Sequence, residues 1–147
     1  MVKYIANIIV MEINTILNII KIQSVLTKKF DGLSLHGISL TDFMILHILS
    51  KAPGNRLKRI DLAENTGLTA SGITRIILPL EKIGLVEKDS NERDARVSYV
   101  KLSTAGDKVY KEASVTADYI SKKLLDGMAA EDLEIFSNQL KSLGGDI

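Results

Sequence analysis

The 147-residue chain has no cysteine and no tryptophan, and only two prolines, two histidines, three phenylalanines and four tyrosines. Without cysteine there can be no disulfide framework, thiolate nucleophile, cysteine-ligated zinc or thiol redox sensor. Few prolines and ten glycines leave long stretches unpunctuated, which favours helices over a many-turned sandwich. With so few aromatic residues, the core is expected to be aliphatic. Charge of one sign is also missing: 19 bases stand against 18 acids, and a formal charge of +1 gives no global sign of a polyanionic partner. What is present, 46% hydrophobic and 25% charged residues, is ordinary for a soluble globular chain of one domain or of two small subdomains sharing a core. Disorder, collagen-like repeats and a multi-span membrane protein are excluded.

The run from Met1 to Ile22 is unusually apolar, so a signal peptide or membrane span has to be weighed first. Asn7, Glu12, Asn14, Asn18 and Lys21 interrupt it, no A-x-A-like site follows, and a mid-run carboxylate is costly in a bilayer. Ile5, Ile8, Ile9, Ile13, Ile16, Ile19 and Ile20 recur at three and four residues, with Val10 and Leu17 widening the stripe. The reading is a soluble, largely buried helix. So broad an apolar surface needs cover on more than one side, and pairing between two subunits is its natural use.

Ser39 and Asp42 have capping-box spacing before the apolar segment Phe43 to Leu49, which predicts a helix from near Leu40 to near Lys51. Ala52-Pro53-Gly54-Asn55 is a turn cluster. A short helix is legible from Lys58 to Asn65 with Gly67 as its stop, and another from the N-cap Thr69 to Ile83 with Gly84 beyond it. Ala63, Gly67 and Ile73 have helix-turn-helix spacing: close approach, a positive φ and a plug between helices. A plain helical hairpin with a glycine turn has the same features.

On a helical wheel from Thr69 to Gly84, Ile73, Ile76, Ile77, Leu80 and Ile83 share the buried face. The opposite face carries Ser71, Thr74, Arg75, Leu78 and Lys82. Short Ala70, Ser71 and Gly72 let the backbone come near phosphates, and Arg75 can address guanine N7 and O6 together. An ordinary solvated face is the competing reading. Two short strands follow, Leu85 to Lys88 and Val97 to Leu102, around the polar loop 89–96. A helix-turn-helix with such a hairpin is a winged helix. Arg93 and Arg96 could enter a minor groove or clamp phosphates with Asp94 steadying an arginine, or form a surface ion-pair cluster of little consequence.

Three stretches now resemble one family, the MarR transcriptional regulators: Gly67-Leu68-Thr69-Ala70-Ser71-Gly72-Ile73-Thr74-Arg75, Leu80-Glu81-Lys82-Ile83-Gly84-Leu85-Val86-Glu87-Lys88, and Arg93-Asp94-Ala95-Arg96 through Val100-Lys101-Leu102-Ser103-Thr104-Ala105-Gly106. The resemblance runs from about Leu40 to Gly106. It implies a mainly α (α+β) fold: residues 1–38 as an amino-terminal dimerisation helix and loop, 39–103 as the winged helix-turn-helix, and 104–147 as carboxy-terminal dimerisation helices. It implies a cytoplasmic homodimer that binds a pseudo-palindromic double-stranded operator, a repressor released by a small aromatic or anionic effector. By position, Thr69, Ala70, Ser71, Thr74 and Arg75 are expected to read the groove, and Arg93, Asp94 and Arg96 to form the wing motif. Ala95 stands where the family usually has a second wing arginine. Pro79 lies inside the recognition helix, where a bend rather than a break is expected.

From Thr104, Val109, Ala113, Ala117, Ile120 and Leu124 predict a helix to about Asp126, stopped by Gly127. A final helix from about Glu131 aligns Leu133, Phe136, Leu140 and Leu143, with Glu131 and Asp132 at its positive end. Bases and acids number five and three in 1–53, nine and seven in 54–102, and five and eight in 103–147. The small net charge therefore conceals an acidic carboxy-terminal third. No phosphate-cradling glycine loop, G-x-S-x-G or H-E-x-x-H occurs, so no enzyme and no cofactor is expected. His36 and His47 are expected to be a loop and a packing residue, not metal ligands. The rival function is a winged-helix protein-interaction adaptor, which needs no basic pair at the hairpin tip.

Overall fold

The computed structural model describes residues 1–91 and 94–147 and, outside 2–7, 9, 91 and 94–97, their side chains. The elements are α1 (Val2–Lys29), α2 (Leu40–Lys51), β1 (Arg56–Lys58), α3 (Arg59–Thr66), α4 (Ala70–Lys82), β2 (Val86–Asn91), β3 (Asp94–Leu102), α5 (Thr104–Leu124) and α6 (Ala130–Ser142). Short 3-10 turns cover Asp31–His36 and Pro53–Asn55.

The capping box forms as its spacing requires: Ser39 Oγ accepts from the Asp42 amide at 3.1 Å, and the Ser39 amide donates to Asp42 Oδ2 at 2.8 Å. Gly67 takes φ +66°, letting α3 stop and α4 start within three residues. Ala63 and Ile73 are buried between the two helices, in their expected roles. α4 runs unbroken through Pro79 to Lys82.

Ile83 does not pack as the wheel predicts; it is 58% exposed. The helix has already ended there. Gly84 turns at φ +78°, the Leu85 amide donates to the Leu80 carbonyl at 2.9 Å, and buried Leu85 occupies the position the wheel assigns to Ile83. This is the six-to-one bond of a left-handed helix stop, which brings the second residue beyond the cap back onto the last turn.

The sheet has strand order β1-β3-β2, antiparallel throughout. β1 is too short for any period-2 signal and is defined only by its pairing with β3. The hairpin is longer than expected. Asp89, Ser90 and Asn91 belong to β2 and Asp94, Ala95 and Arg96 to β3, where the sequence reading put a loop over 89–96. A hairpin continues its ladder whether or not apolar alternation persists, because backbone pairing needs no side-chain pattern. Val86, Val100 and Leu102 cover the core on the inner face. Beyond Ser90 the register shifts.

One buried cluster joins Leu33 and Ile38 before α2, Ile45, Leu46 and Leu49 of α2, Leu62 of α3, Ile73, Ile77 and Leu80 of α4, the sheet, and Ala113 and Ala117 of α5. Both histidines tie this body to α5: His36 Nε2 lies 2.8 Å from Thr116 Oγ1 and His47 Nδ1 2.9 Å from Tyr110 Oη. Among the described residues no group of three or more histidines and carboxylates could hold a metal, and no helix is long and apolar enough to cross a membrane.

Burial, with the nearby Lys51 ammonium adding to it, lowers the His47 pKa below 6.5. A lowered folded-state value means that the unfolded chain takes up the proton first, so stability is full above about pH 6.5 and falls as pH drops through that value. His47→Gln should flatten this part of a denaturation-midpoint profile measured between about pH 7.5 and 5. An unchanged profile would remove His47 from the explanation.

α1 is a helix, as its period predicts, but one chain does not bury it. Ile13, Ile16, Leu17 and Ile20 are each about half exposed. Leu133, Ile135 and Phe136 of α6 are likewise exposed, and Phe136 lines a groove of about 480 Å³ with Ile19, Ile22 and Val25 of α1.

Candidate nucleic-acid interface

The amino-terminal half of α4 presents short side chains at a capped helix start. Thr69 Oγ1 accepts from the Gly72 amide at 3.1 Å and lies 3.2 Å from Ser71 Oγ. Thr74 Oγ1 donates to the Ala70 carbonyl at 3.0 Å, which leaves its oxygen lone pairs free to accept. Thr69, Ala70, Ser71 and Arg75 are exposed and Thr74 is half-buried. The helix axis itself is fixed from behind by fully buried Ile73 and Ile77. The five predicted recognition residues thus lie together at one helix end, on the side turned away from the core. Amides of the first turn add a partial positive charge there.

Arg75 has no ion-pair partner among the described residues. The same holds for exposed Lys58, Lys82 and Lys88. Three other bases of this region are neutralised locally: Arg56 with Asp89 at 2.6 Å, Arg59 with Glu81 at 3.5 Å and Lys101 with Glu87 at 3.5 Å. The near-balance of nine bases and seven acids in 54–102 is therefore uneven in space. Among the described residues, the paired acids serve the sheet and the α3–α4 contact, and none meets Arg75.

The wing residues divide. Arg93 lies outside the described residues. Asp94 and Arg96 fall on the first residues of β3, and their side chains are not described. Sequence reasoning missed Arg56: its guanidinium stands 4.9 Å from the centre of the Tyr99 ring besides meeting Asp89. Nothing in the sequence links residues 33 positions apart on two edge strands when one of those strands is illegible.

Comparison with known proteins agrees with this geometry. Residues 38–98 match the model of the MarR family. The HTH-type transcriptional regulator PapX of Escherichia coli is 27% identical over 117 residues, spanning 80% of this chain and 70% of that protein. AbsC, a MarR family transcriptional regulator from Streptomyces coelicolor, superposes with a TM-score of 0.77 at 25% identity, covering 86% of each chain. Two structures at 21% identity share the fold. One is a mutant MarR from Escherichia coli complexed with operator DNA, with a TM-score of 0.78 over 90% of this chain and 95% of that one. The other is the organohalide-sensing regulator RdhR in its 2,4-dichlorophenol-bound form, with a TM-score of 0.80 over 90% and 79%. A winged helix with the three-stranded sheet and flanking helices, the family model matched over residues 38–98 and these relatives together make the chain similar to the MarR family of transcriptional regulators, the family match lying on its winged helix.

Proposed function

We propose that the protein is a homodimeric repressor that reads a pseudo-palindromic operator and is released by a small aromatic or anionic effector. The observation that carries the reading is the exposed Arg75, without an ion-pair partner among the described residues, beside Thr69, Ala70, Ser71 and Thr74 on a helix held rigidly from behind. In the major groove this helix end presents a bidentate donor for guanine, with hydroxyls for bases or phosphates. Arg93 and Arg96, with Asp94 beside them, take the minor groove or its phosphates at the wing. Dimerisation is supported by the apolar surface that α1 and α6 leave uncovered in one chain, since isologous pairing buries the same stripe twice. Phenol binding by a regulator of the same fold supports the effector class. Release then requires an effector with different affinities for the operator-fitting and non-fitting arrangements of the two winged helices.

A binding selection on genomic fragments tests the reading. It should return a palindromic duplex with half-sites about one helical turn apart. Against that duplex, Arg75→Ala should relax the preference at one base position per half-site, at a cost of about 1–3 kcal/mol, whereas Arg93→Ala should weaken all sequences similarly. No enrichment, or equal affinity of both variants and wild type, would favour a winged-helix adaptor for a protein partner.

A further inference from the structure

Arg56, Tyr99 and Asp89 lie one on each strand of the sheet, in the order β1, β3, β2. Asp89 is directly opposite Tyr99, and Arg56 is opposite Lys101, one rung away on the same face. Neighbouring strands are about 4.8 Å apart, so the two outer strands are separated by about twice that. The Arg56 side chain crosses this gap over the central strand: its guanidinium lies 4.9 Å from the Tyr99 ring centre, and Nη1 reaches Asp89 Oδ2 at 2.6 Å. The neighbouring rung is closed separately, by Lys101 with Glu87.

The position along the hairpin gives this contact its meaning. Up to Val86, the wing strands are anchored by buried Val86, Val100 and Leu102. After Ser90 the ladder changes register. Asp89 therefore sits where apolar anchoring has ended and regular pairing is about to end. At the other end of the clamp, β1 runs without a gap into α3, and α3 packs through Ala63 and Ile73 on α4. The Arg56 bridge thus spans from the helix-turn-helix to the root of the wing.

We propose that Arg56, held over Tyr99 and bonded to Asp89, is a positioning residue that sets the pitch of the wing relative to the recognition helix, so that both can engage one half-site together. The inference rests on the operator-binding reading above. It makes a counter-electrostatic demand. Removing an acid beside a DNA-binding face ordinarily tightens binding to a polyanion, and freeing an arginine should tighten it further. If the clamp positions the wing, Asp89→Ala should instead weaken operator binding as Arg56→Ala does, each about tenfold, and the double variant should be no worse than either alone. Tyr99→Phe, which keeps the ring face, should bind like wild type, and the exchanged pair Arg56→Asp with Asp89→Arg should recover part of the loss.

The variants alter exposed Arg56 and half-buried Asp89 and Tyr99, none of them in the core, and a surface ion pair contributes little to global stability, so they should fold. Amide hydrogen exchange on the free dimer, which needs no DNA, should be faster across residues 86–102 in both single variants and unchanged in α4. Tighter operator binding by Asp89→Ala would overturn the clamp and assign Arg56 to a phosphate contact. Unchanged exchange in the hairpin would overturn it as well. If wild type binds no operator at all, the repressor reading fails, and the exchange measurement still decides whether the clamp holds the wing.

Discussion

Gly106→Ala is expected to destabilise the fold by at least about 3 kcal/mol, the upper range for forcing volume into a packed site. Intrinsic helix propensity alone predicts the opposite sign, because Gly106 lies in the first turn of α5 and alanine is the better helix former by about 1 kcal/mol. Space decides the matter. A Cβ at this position would overlap the Leu85 carbonyl oxygen, with Leu102 Cδ1 2.9 Å away. That carbonyl cannot step aside cheaply. It accepts from the Ser103 amide at 3.1 Å, and Ser103 Oγ donates to the Gly84 carbonyl at 2.6 Å while accepting from the Gly106 amide at 2.9 Å. The start of α5 is thereby locked onto the stop of α4. Gly67→Ala is the control: nothing lies within 4 Å of its added methyl, and only the left-handed φ of +66° opposes it, at about 1–2 kcal/mol. Urea midpoints of the two variants measure the difference. Equal midpoints would show that α5 does not press on Leu85 as described.

Replacing Arg75, Arg93 and Arg96 together by alanine is expected to reduce operator affinity by on the order of a thousandfold or more, since in the proposed dimer six cationic side chains that the reading turns toward DNA are lost. Folding should be unaffected at Arg75, which is exposed and makes no ion pair among the described residues. The loss should be larger at low salt than at high salt, because contacts that release counterions contribute most when bulk salt is dilute. Gel-shift titrations at two salt concentrations measure this. Wild-type affinity in the triple variant would move the function from DNA to a protein partner.

Helices α2, α3 and α4 were legible because each carried its own punctuation. Ser39 with Asp42, Thr69 and Gly67 state where α2, α4 and α3 begin or end, and the structure places caps and a positive φ at those residues. Ser71, Thr74 and Arg75 were put on one face by the wheel, since a rigid helix converts spacing into a face, whereas Thr69 and Ala70 joined them through their place at the helix start and the family resemblance. The wheel failed at Ile83, where a glycine one residue later ended the geometry on which it depends. β1 and the outer half of the hairpin were not legible: strands paired at an edge or projecting from the body need no apolar alternation, and only their partners define them. The Arg56 bridge and the demand for glycine at 106 were invisible for a related reason. Both arise from contacts between segments about 20 or more residues apart, and composition and period describe single segments. Net charge misled for the same cause. Its sum of +1 mixes paired acids on the sheet, an acidic carboxy-terminal third and an arginine on α4 that has no ion-pair partner among the described residues.

The most direct test of operator reading by paired winged helices is the salt dependence of wild-type binding to the selected duplex. If Arg75, Arg93, Arg96 and one lysine of each protomer each neutralise a phosphate or its surroundings, about eight contacts per dimer predict a log–log slope near −7. A slope near zero would contradict it.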